Sequence, residues 1–442
     1  MNLQFMRNYI FISTILILVF SFQELKSQEK VFISKQEVLK KVSEKNLSLK
    51  ISTEEFNKAK ADFSQTRAVF LPNITASHTG ISTTNPLMAF GSKLNQGILT
   101  QVDFNPALLN NPTRTQNFAT KVEIQQPLIN LDGFYQRKAA KSKMEAVSLK
   151  TQRTQDFLIF EVEKAYMQLQ LAYMGVEVFV KALETVNANK KIVDNSFKQG
   201  YLQRADVLNV EVRVTEIKNL LQTAKSNVQN ASNYLSFLMN DDNYVLYKPT
   251  EILTISTFQI DDKIISENRS DIKAMQLATK GYKAMNKADK MSFLPRLNAF
   301  GSYEMYDNDF FQGDASGYLI GAQLSWDIFK GSQRIGKTQK SKAEFEKSKL
   351  EYNQYVSKSN LELNKVKRQL IDAKSKLKLT DIAVQQSKES LRIRKNRFKE
   401  GLEKTSDLLM TETQLLNKQL EYYQTIFEYN FTNAYLEFLT KE

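Results

Sequence analysis

Side chains that could do covalent or acid–base chemistry are scarce in this chain of 442 residues. It has no cysteine, and its only histidine is His78, which lies in a stretch with the pattern of a strand. A nucleophile needs a neighbouring base, and a metal or a phosphate needs a cluster of ligands or a glycine-rich loop. None of these patterns occurs in the sequence. The sequence therefore predicts no enzyme activity, no metal site and no cofactor.

Two aspartates lie at matching positions of a repeated motif. Phe-Lys-Gln-Gly ending at Gly200 is followed by Asp206, and Phe-Lys-Glu-Gly ending at Gly401 is followed by Asp407. Glycine accepts the positive φ of a tight turn between two helices. An aspartate shortly after such a turn can accept hydrogen bonds from the free N–H groups at the start of the next helix. The motif therefore predicts two hairpin turns, with helix capping as one role for each aspartate.

This motif is part of a duplication that covers most of the chain. Upstream of it, Phe-Leu-Pro ending at Pro72 recurs as Phe-Leu-Pro ending at Pro295. Each half has the order helix, Leu-Pro break, two strands, long helix, glycine turn and helix. We predict a first repeat at 28–240, a connector at 241–268 and a second repeat at 269–442.

Long antiparallel coiled-coil hairpins are predicted from hydrophobic spacing. From Leu158 to Phe197 apolar residues recur at alternating steps of four and three, and the pattern resumes after the turn. The second half repeats it. We predict hairpins at about 131–239 and 331–440, whose long helices would each extend about 100 Å. An ordinary soluble coiled coil would show the same heptads.

Four strands are predicted, two in each repeat, between the Leu-Pro break and the long helix. We place them at about 71–82, 116–128, 295–306 and 318–329. Their residues alternate between apolar and polar, as in a sheet with one apolar and one polar face. The predicted membrane-facing residues are Phe118, Val122, Ile124, Tyr318, Leu324 and Trp326. A half-buried soluble sheet would alternate in the same way.

The N-terminus has the features of a secretory signal. Arg7 precedes an apolar run at residues 9–22, and polar residues follow. This run is short for a spanning helix, so we predict a signal peptide at 1–27. No second apolar run of about eighteen residues is present, so a membrane crossing by the mature chain would need closed β-structure. These features predict a location in the outer membrane of a Gram-negative bacterium.

The formal net charge of +13 raises the question of a nucleic-acid partner. The basic excess is concentrated between Gly331 and Glu400, within the second hairpin. An exported protein meets little nucleic acid. We therefore interpret this excess as a solvated helix face or as a face for an acidic protein partner, and predict no nucleic-acid partner.

Together, the signal peptide, the two repeats, the Phe-Leu-Pro breaks and the glycine-turn motifs resemble the TolC family of outer membrane efflux proteins. The resemblance covers essentially the whole mature chain. It implies a homotrimer with a twelve-stranded transmembrane β-barrel, four strands from each chain, continued by an α-helical tunnel in the periplasm. It also implies outer membrane lipid, a periplasmic adaptor protein and an inner-membrane transporter of the resistance-nodulation-division or ABC type as partners. The expected function is a passive exit for substrates in multidrug or metal efflux or in type I secretion.

The resemblance extends to the hairpin tips. The turn glycines of the family match Gly200 and Gly401, and its acidic residues at the periplasmic entrance match Asp206 and Asp407. Three copies of Asp407 around one axis would form a ring that attracts cations and repels anions. For Asp206 helix capping and pore lining both remain open, whereas for Asp407 the resemblance favours pore lining.

Three entrance positions depart from the family pattern. A tyrosine and an arginine that help to hold the entrance shut in the family are replaced here by Phe398 and Glu403, and a second acidic ring is replaced by Met410. We therefore expect a closing network that differs from that of the family and a gate that is more apolar.

Two other functions are compatible with part of this pattern. A periplasmic adaptor also has coiled-coil hairpins and a secretory signal, but it would have one hairpin inserted into compact β-domains. A secreted structural coiled-coil protein would need no amphipathic strand pairs. The duplication of both hairpins and strand pairs favours the channel over these alternatives.

Overall fold

The computed structural model of the protein describes residues 30–241, 245–256, 263–313 and 315–442, so the predicted signal peptide at 1–27 lies outside the described residues. Helices account for most of the described chain. No helix in these ranges combines the length and the apolar composition needed to cross a membrane. In chain order the elements are β1 (Lys30–Ile33), α1 (Lys35–Lys45), α2 (Leu47–Gln65), β2 (Asn73–Thr83), α3 (Pro86–Asn95), α4 (Pro106–Asn110), β3 (Thr115–Ile129), α5 (Leu131–Lys198), α6 (Arg204–Met239), β4 (Leu246–Pro249), α7 (Ser270–Met291), β5 (Arg296–Asp307), β6 (Ala315–Ser325), α8 (Gln333–Lys399) and α9 (Thr405–Thr440).

The long helices turn back on themselves at glycines. α5 and α6 are joined around Gly200, and α8 and α9 around Gly401. The two glycines have φ of +79° and +71°, a region that strains residues with a Cβ atom. In the first turn the N–H of Tyr201 donates to the carbonyl of Ser196 at 2.9 Å, which satisfies a carbonyl at the helix end, and the second turn has the same pattern.

The heptad positions form the core of the hairpins. Apolar side chains of α5 and α6 are buried in one cluster with apolar side chains of α8 and α9. Full burial of a large aliphatic side chain contributes about 1.5–3 kcal/mol, so this seam is a major source of stability. Its buried members include Val186, Val193, Val207, Val210, Val214, Ile217, Phe398, Leu408 and Leu416.

Four strands form one antiparallel sheet in the order β2-β3-β5-β6. β3 belongs to the first repeat and β5 to the second, so the β3–β5 pair joins the two repeats. Within the described residues, the outer edges of β2 and β6 have no partner strand. Val122 lies opposite Tyr303, which lies opposite Tyr318. Because directly opposed residues of antiparallel strands share a face, these three side chains lie on one side of the sheet.

The observed strands differ from the predicted ranges mainly at β6. The ends of β2, β3 and β5 differ from the predicted ones by no more than two residues. The largest difference is at β2, which begins at 73 and not at the predicted 71. β6 is Ala315–Ser325, whereas the pattern predicts 318–329. It ends where β5 begins, because Arg296 pairs with the last residue of β6. Trp326 therefore lies just after the strand, where its indole N–H donates to the carbonyl of Phe293 at 2.9 Å.

Two short α-helices, α3 and α4, lie in the segment between β2 and β3, with a 3-10 helix at Gln101–Phe104 between them. The abundance of Asn, Gly and Pro there is typical of a loop, but each α-helix begins at an Asn-Pro pair. The side chain of Asn85 accepts from the N–H of Met88 at 3.3 Å, and that of Asn105 accepts from the N–H of Ala107 at 2.9 Å. Asn at the N-cap and Pro at the first helical position both favour helix initiation.

By its internal contacts the chain divides into two compact units. Among the described residues, one unit contains those of 30–48, 155–264 and 362–441, and the other contains those of 49–154 and 265–361 and the last residue. Each unit takes residues from both repeats, so a sequence repeat is not a compact unit. In the first unit, β1 pairs in parallel with β4, which lies in the connector predicted at 241–268.

Candidate functional site

The first hairpin tip uses its aspartate to cap a helix. The carboxylate of Asp206 accepts a hydrogen bond from the backbone N–H of Gln203 at 3.1 Å. Gln203 is the N-cap residue of α6, and Asp206 lies in the first turn, where a negative charge also interacts favourably with the helix dipole. The geometry therefore gives Asp206 a capping role, and pore lining by this residue stays a prediction.

The matching aspartate of the second tip has a different environment. Asp407 lies in the first turn of α9, and its carboxylate contacts the hydroxyl of Ser406 at 3.5 Å. Within the described residues, no hydrogen bond from the N-cap residue Lys404 to this carboxylate is present. Met410, about one turn further along, is 61% exposed. Asp407 therefore does not cap its helix, and its carboxylate can interact with other groups at the tip.

Phe398 does not lie on the surface of the second tip. Its side chain is 7% exposed and belongs to the cluster that also contains Val193 of α5, Val207 of α6 and Leu408 of α9. Packing among these helices removes the ring from water. Within the subunit Phe398 is therefore a core residue, and its part in a more apolar gate stays a prediction.

Glu403 forms ion pairs with the helix that precedes the second turn. Its carboxylate pairs with the guanidinium of Arg394 at 2.7 Å and of Arg397 at 3.1 Å, and its side chain is 12% exposed. Such charge-assisted hydrogen bonds are among the strong ones in proteins. Arg397 also donates to the carbonyl of Leu402 at 3.4 Å. Glu403 therefore binds two arginines of its own chain and stabilises the turn.

A buried carboxylate, Glu412, lies two turns into α9 from the second tip. It is 9% exposed, and the fully buried Asn189 of α5 donates a hydrogen bond to it. Burial raises the pKa of Glu412 to about 7, and the charges of Arg213 and Lys395 and the bond from Asn189 oppose this rise only in part. Glu412 is therefore a group that can exchange a proton near neutral pH.

Glu412 is not among the residues that the sequence analysis singles out. One signal could have singled it out, because Glu412 lies four residues from both Leu408 and Leu416, which are buried on the same face of α9. A carboxylate on an apolar helix face either forms an ion pair with a cation or has a raised pKa. Which of the two applies depends on the residues of the neighbouring helices.

One face of the sheet is apolar and exposed. The register places residues of all four strands on it, and a continuous exposed surface of this kind fits contact with lipid. Phe118 shares this face and packs against Phe310, with ring centroids 5.0 Å apart. The exposed apolar residues are Ile74, Val122, Ile124, Tyr303, Tyr318, Ile320 and Leu324.

The opposite face of the same strands is polar and charged. Lys121 pairs with Glu123 of its own strand at 3.0 Å and with Glu304, directly across on β5, at 3.3 Å. The hydroxyl of Tyr306 donates to Glu304 on the same face. Ser77 of β2 lies opposite Lys121. This row of polar side chains fits contact with water.

His78 has the setting of a structural strand residue. Its Nδ1 lies 2.8 Å from the hydroxyl oxygen of Thr120, and its ring stacks on that of Phe311 with centroids 4.2 Å apart. Across the part of the chain that the structure describes, no group of three or more His, Cys, Asp or Glu side chains could hold a metal ion.

Helical hairpins with charged tips, and a sheet with one lipid-compatible and one water-compatible face, are the parts of an outer membrane channel subunit. A family model described as outer membrane efflux protein matches residues 38–241 and 263–436. The chain belongs to the outer membrane efflux protein family. Its members are channels and not enzymes. The predicted family, the mainly helical fold, the function as an efflux channel subunit and the location in the outer membrane with extension into the periplasm are thereby confirmed.

Solved structures of such channels have the same fold. CusC is 14% identical, with a TM-score of 0.80 over 95% of this chain and 95% of that chain. The CmeC outer membrane channel of Campylobacter jejuni is 17% identical, with a TM-score of 0.80 over 92% of this chain and 85% of that chain. The open state of the MtrE outer membrane channel of Neisseria gonorrhoeae is 16% identical, with a TM-score of 0.76 over 92% and 88%. No curated protein matches the chain by sequence.

Proposed function

We propose that three copies of the chain form a closed twelve-stranded β-barrel, four strands from each, continued by an α-helical tunnel. The edges of β2 and β6 carry backbone groups that need partners in lipid, and pairing between copies would supply them. The observation that carries this proposal is the separation of the exposed apolar row around Val122 from the charged row around Lys121 and Glu304 on the same strands. Lipid would contact the first row and a water-filled lumen the second.

In this proposal the channel gives a passive exit to substrates that other proteins deliver. An inner-membrane transporter of the resistance-nodulation-division or ABC type would supply the energy, and a periplasmic adaptor would connect it to the hairpin tips. The substrates would be drugs or metal ions in efflux, or proteins in type I secretion. Membership of the efflux family supports this arrangement.

The hairpin tips would form the periplasmic entrance. Gly200 and Gly401 allow the turns, Asp407 of the three copies would form an acidic ring, and Met410 would form an apolar ring beside it. The carboxylate of Asp407 contacts the Ser406 hydroxyl and does not cap its helix, in contrast to the capping carboxylate of Asp206, and this difference supports the assignment. A ring of carboxylates around a narrow opening favours cations.

Single-channel conductance in planar bilayers tests both the channel and the ring. For the wild-type protein we expect cation-selective events that a multivalent cation blocks from the tip side. Asp407→Asn removes three charges from the ring, so we expect block to weaken roughly tenfold or more. Asp206→Asn is the matched control, because it changes the equivalent residue of the other repeat, whose charge caps a helix.

The possible outcomes separate the two parts of the proposal. If a multivalent cation blocks the wild type, Asp407→Asn and Asp206→Asn equally, the channel proposal stands and the proposal of an Asp407 ring fails. Folded trimers that conduct under no condition would contradict the channel itself.

A further inference from the structure

Glu412 joins helices of two different hairpins. It lies on α9 of the second hairpin, and the side chain that donates to it, Asn189, lies on α5 of the first hairpin. Glu412 is 9% exposed and Asn189 is fully buried. If the two hairpins moved apart at this level, this bond would break and both polar groups would meet water.

The bond leaves one polar atom of the pair without a partner. The side-chain oxygen Oδ1 of Asn189 is buried and has no hydrogen-bond donor in the described part of the chain. Buried polar atoms in native proteins nearly always have partners. A carboxylate can only accept hydrogen bonds, whereas a protonated carboxyl group also donates one. A proton on Glu412 therefore supplies the kind of donor that Asn189 lacks.

The cations near Glu412 form no direct ion pair with it among the described residues. The charged groups that face it from the other helices are Lys181 of α5, Arg213 of α6 and Lys395 of α8. Lys181 pairs with Glu177 at 2.6 Å and Arg213 pairs with Glu216 at 3.1 Å. Among the described residues, none of these cations lies within ion-pair distance of Glu412. An ionised Glu412 would be a buried charge without a directly paired counter-ion. Burial therefore raises its pKa, and the more distant charges of Arg213 and Lys395 offset this rise only in part.

A cavity connects this carboxyl group to solvent. It has a volume of about 110 Å³ and lies among the four helices, with Thr185, Ile217, Leu391 and Gln419 in its lining beside Glu412. A cavity of this size admits water. A proton can thus reach or leave Glu412 without unfolding of the hairpins.

We propose that Glu412 is a proton-binding site, which holds the two hairpins of a subunit together when protonated and favours an open entrance when ionised. The ionised carboxylate needs hydration, and separation of α5 from α9 would provide it. The ligand is a proton, so the state of the entrance would follow the pH of the periplasm. This inference rests on the proposed channel function.

The duplication provides a matched control residue. Glu211 is the equivalent of Glu412 in the first repeat, but its side chain is 41% exposed and pairs with Lys190 at 3.4 Å. Its charge is therefore neutralised and in contact with water. Glu211→Gln makes the same chemical change as Glu412→Gln at an exposed carboxylate that has a lysine partner.

The first test is the open probability of single channels as a function of pH on the tip side. If the open state binds the proton of Glu412 about tenfold more weakly than the closed state, open probability rises roughly fivefold between about pH 6 and about pH 8, and by about tenfold at most over a wider pH range. We expect this rise in the wild type and in Glu211→Gln. Glu412→Gln mimics the protonated state, so its open probability should stay low and nearly constant. A pH response that is absent in the wild type, or that Glu412→Gln retains, would overturn the proposal.

A second measurement does not depend on conduction. The infrared carbonyl band of a protonated carboxylic acid should be present in the wild type and in Glu211→Gln near neutral pH, and absent in Glu412→Gln. The folded state binds this proton more tightly than the unfolded state, so the melting temperature of the wild type should fall as pH rises through about 7. Glu412→Gln should lack this fall. If no variant conducts but these signals appear, the channel proposal fails while the proton site stands, and if they are absent the proton site fails.

Discussion

At the scale of single residues, the partners of a buried carboxylate decide its protonation. Asp271 accepts hydrogen bonds from Arg269 and from the hydroxyl of Tyr355, both at 2.6 Å, and pairs with Arg153 at 3.3 Å. Burial by itself raises the pKa of Asp271, but these bonds and charges outweigh it and hold the pKa below its ordinary value. Glu412 has an amide where Asp271 has arginines, and its pKa moves in the opposite direction.

We expect Asp271→Asn to destabilise the protein by about 3–5 kcal/mol, because it leaves buried arginine charge without its carboxylate. Unfolding in detergent, followed by circular dichroism, measures this change. A group with a lowered pKa stabilises the fold above its unfolded pKa, and this contribution is lost as pH falls through the folded pKa. The variant should therefore lose less stability than the wild type on acidification. Asp372→Asn, at an exposed position of α8, is the control, and an equal effect of both changes would contradict this account.

At the scale of elements, two glycines of the second repeat show how local conformation sets the cost of a side chain. Gly401 has φ of +71° at the turn between α8 and α9. Gly336 lies inside α8, and a Cβ atom added there would meet nothing within 4 Å. The turn requires glycine for its backbone conformation, whereas the helix interior is weakened by it.

We expect Gly401→Ala to destabilise the protein by about 1–2 kcal/mol, because an L-residue is strained at positive φ. Gly336→Ala should stabilise it by about 0.5–1 kcal/mol, because alanine loses less conformational freedom in a helix. Melting temperatures of the two variants therefore move in opposite directions. A rise for both variants would show that the turn at Gly401 tolerates an L-residue without strain, and a fall for both would contradict the expected gain at Gly336.

At the scale of the whole molecule, neighbouring residues of β3 would meet different solvents. Val122 lies on the exposed apolar face and Lys121 on the charged face, where it pairs with Glu304. In a closed barrel the first position would contact lipid and the second water. Substitutions at these two neighbouring positions therefore test the assembly that we propose.

We expect Val122→Lys to reduce the amount of heat-resistant trimer in the outer membrane, because a lysine on the lipid face costs up to about 2–4 kcal/mol at the bilayer centre in each copy. Lys121→Gln should leave trimer levels close to those of the wild type, because a polar side chain remains in contact with water. Gel analysis of unheated membrane fractions measures both. Trimer loss from Lys121→Gln alone would reverse the assignment of the two faces.

Sequence reasoning was most effective where the signals are local. The heptad seam of α5 and α6, the glycine turns and the alternation in β3 each depend on residues within a few positions of one another, so their patterns are visible without a structure. The shift of β6 was missed because the end of a strand depends on where its partner β5 begins. The helices α3 and α4 were missed because an Asn-Pro pair also serves as a turn signal.

The sequence by itself determined the duplication, the helical hairpins, the amphipathic strands and the family. Only the tertiary structure decided that Phe398 is buried, that Glu403 binds two arginines, and that Glu412 of the second hairpin contacts Asn189 of the first. It also decided that each compact unit combines both repeats. The physical reason is that periodicity and turn chemistry act over a few residues, whereas burial and charge pairing depend on helices that lie far apart in the chain.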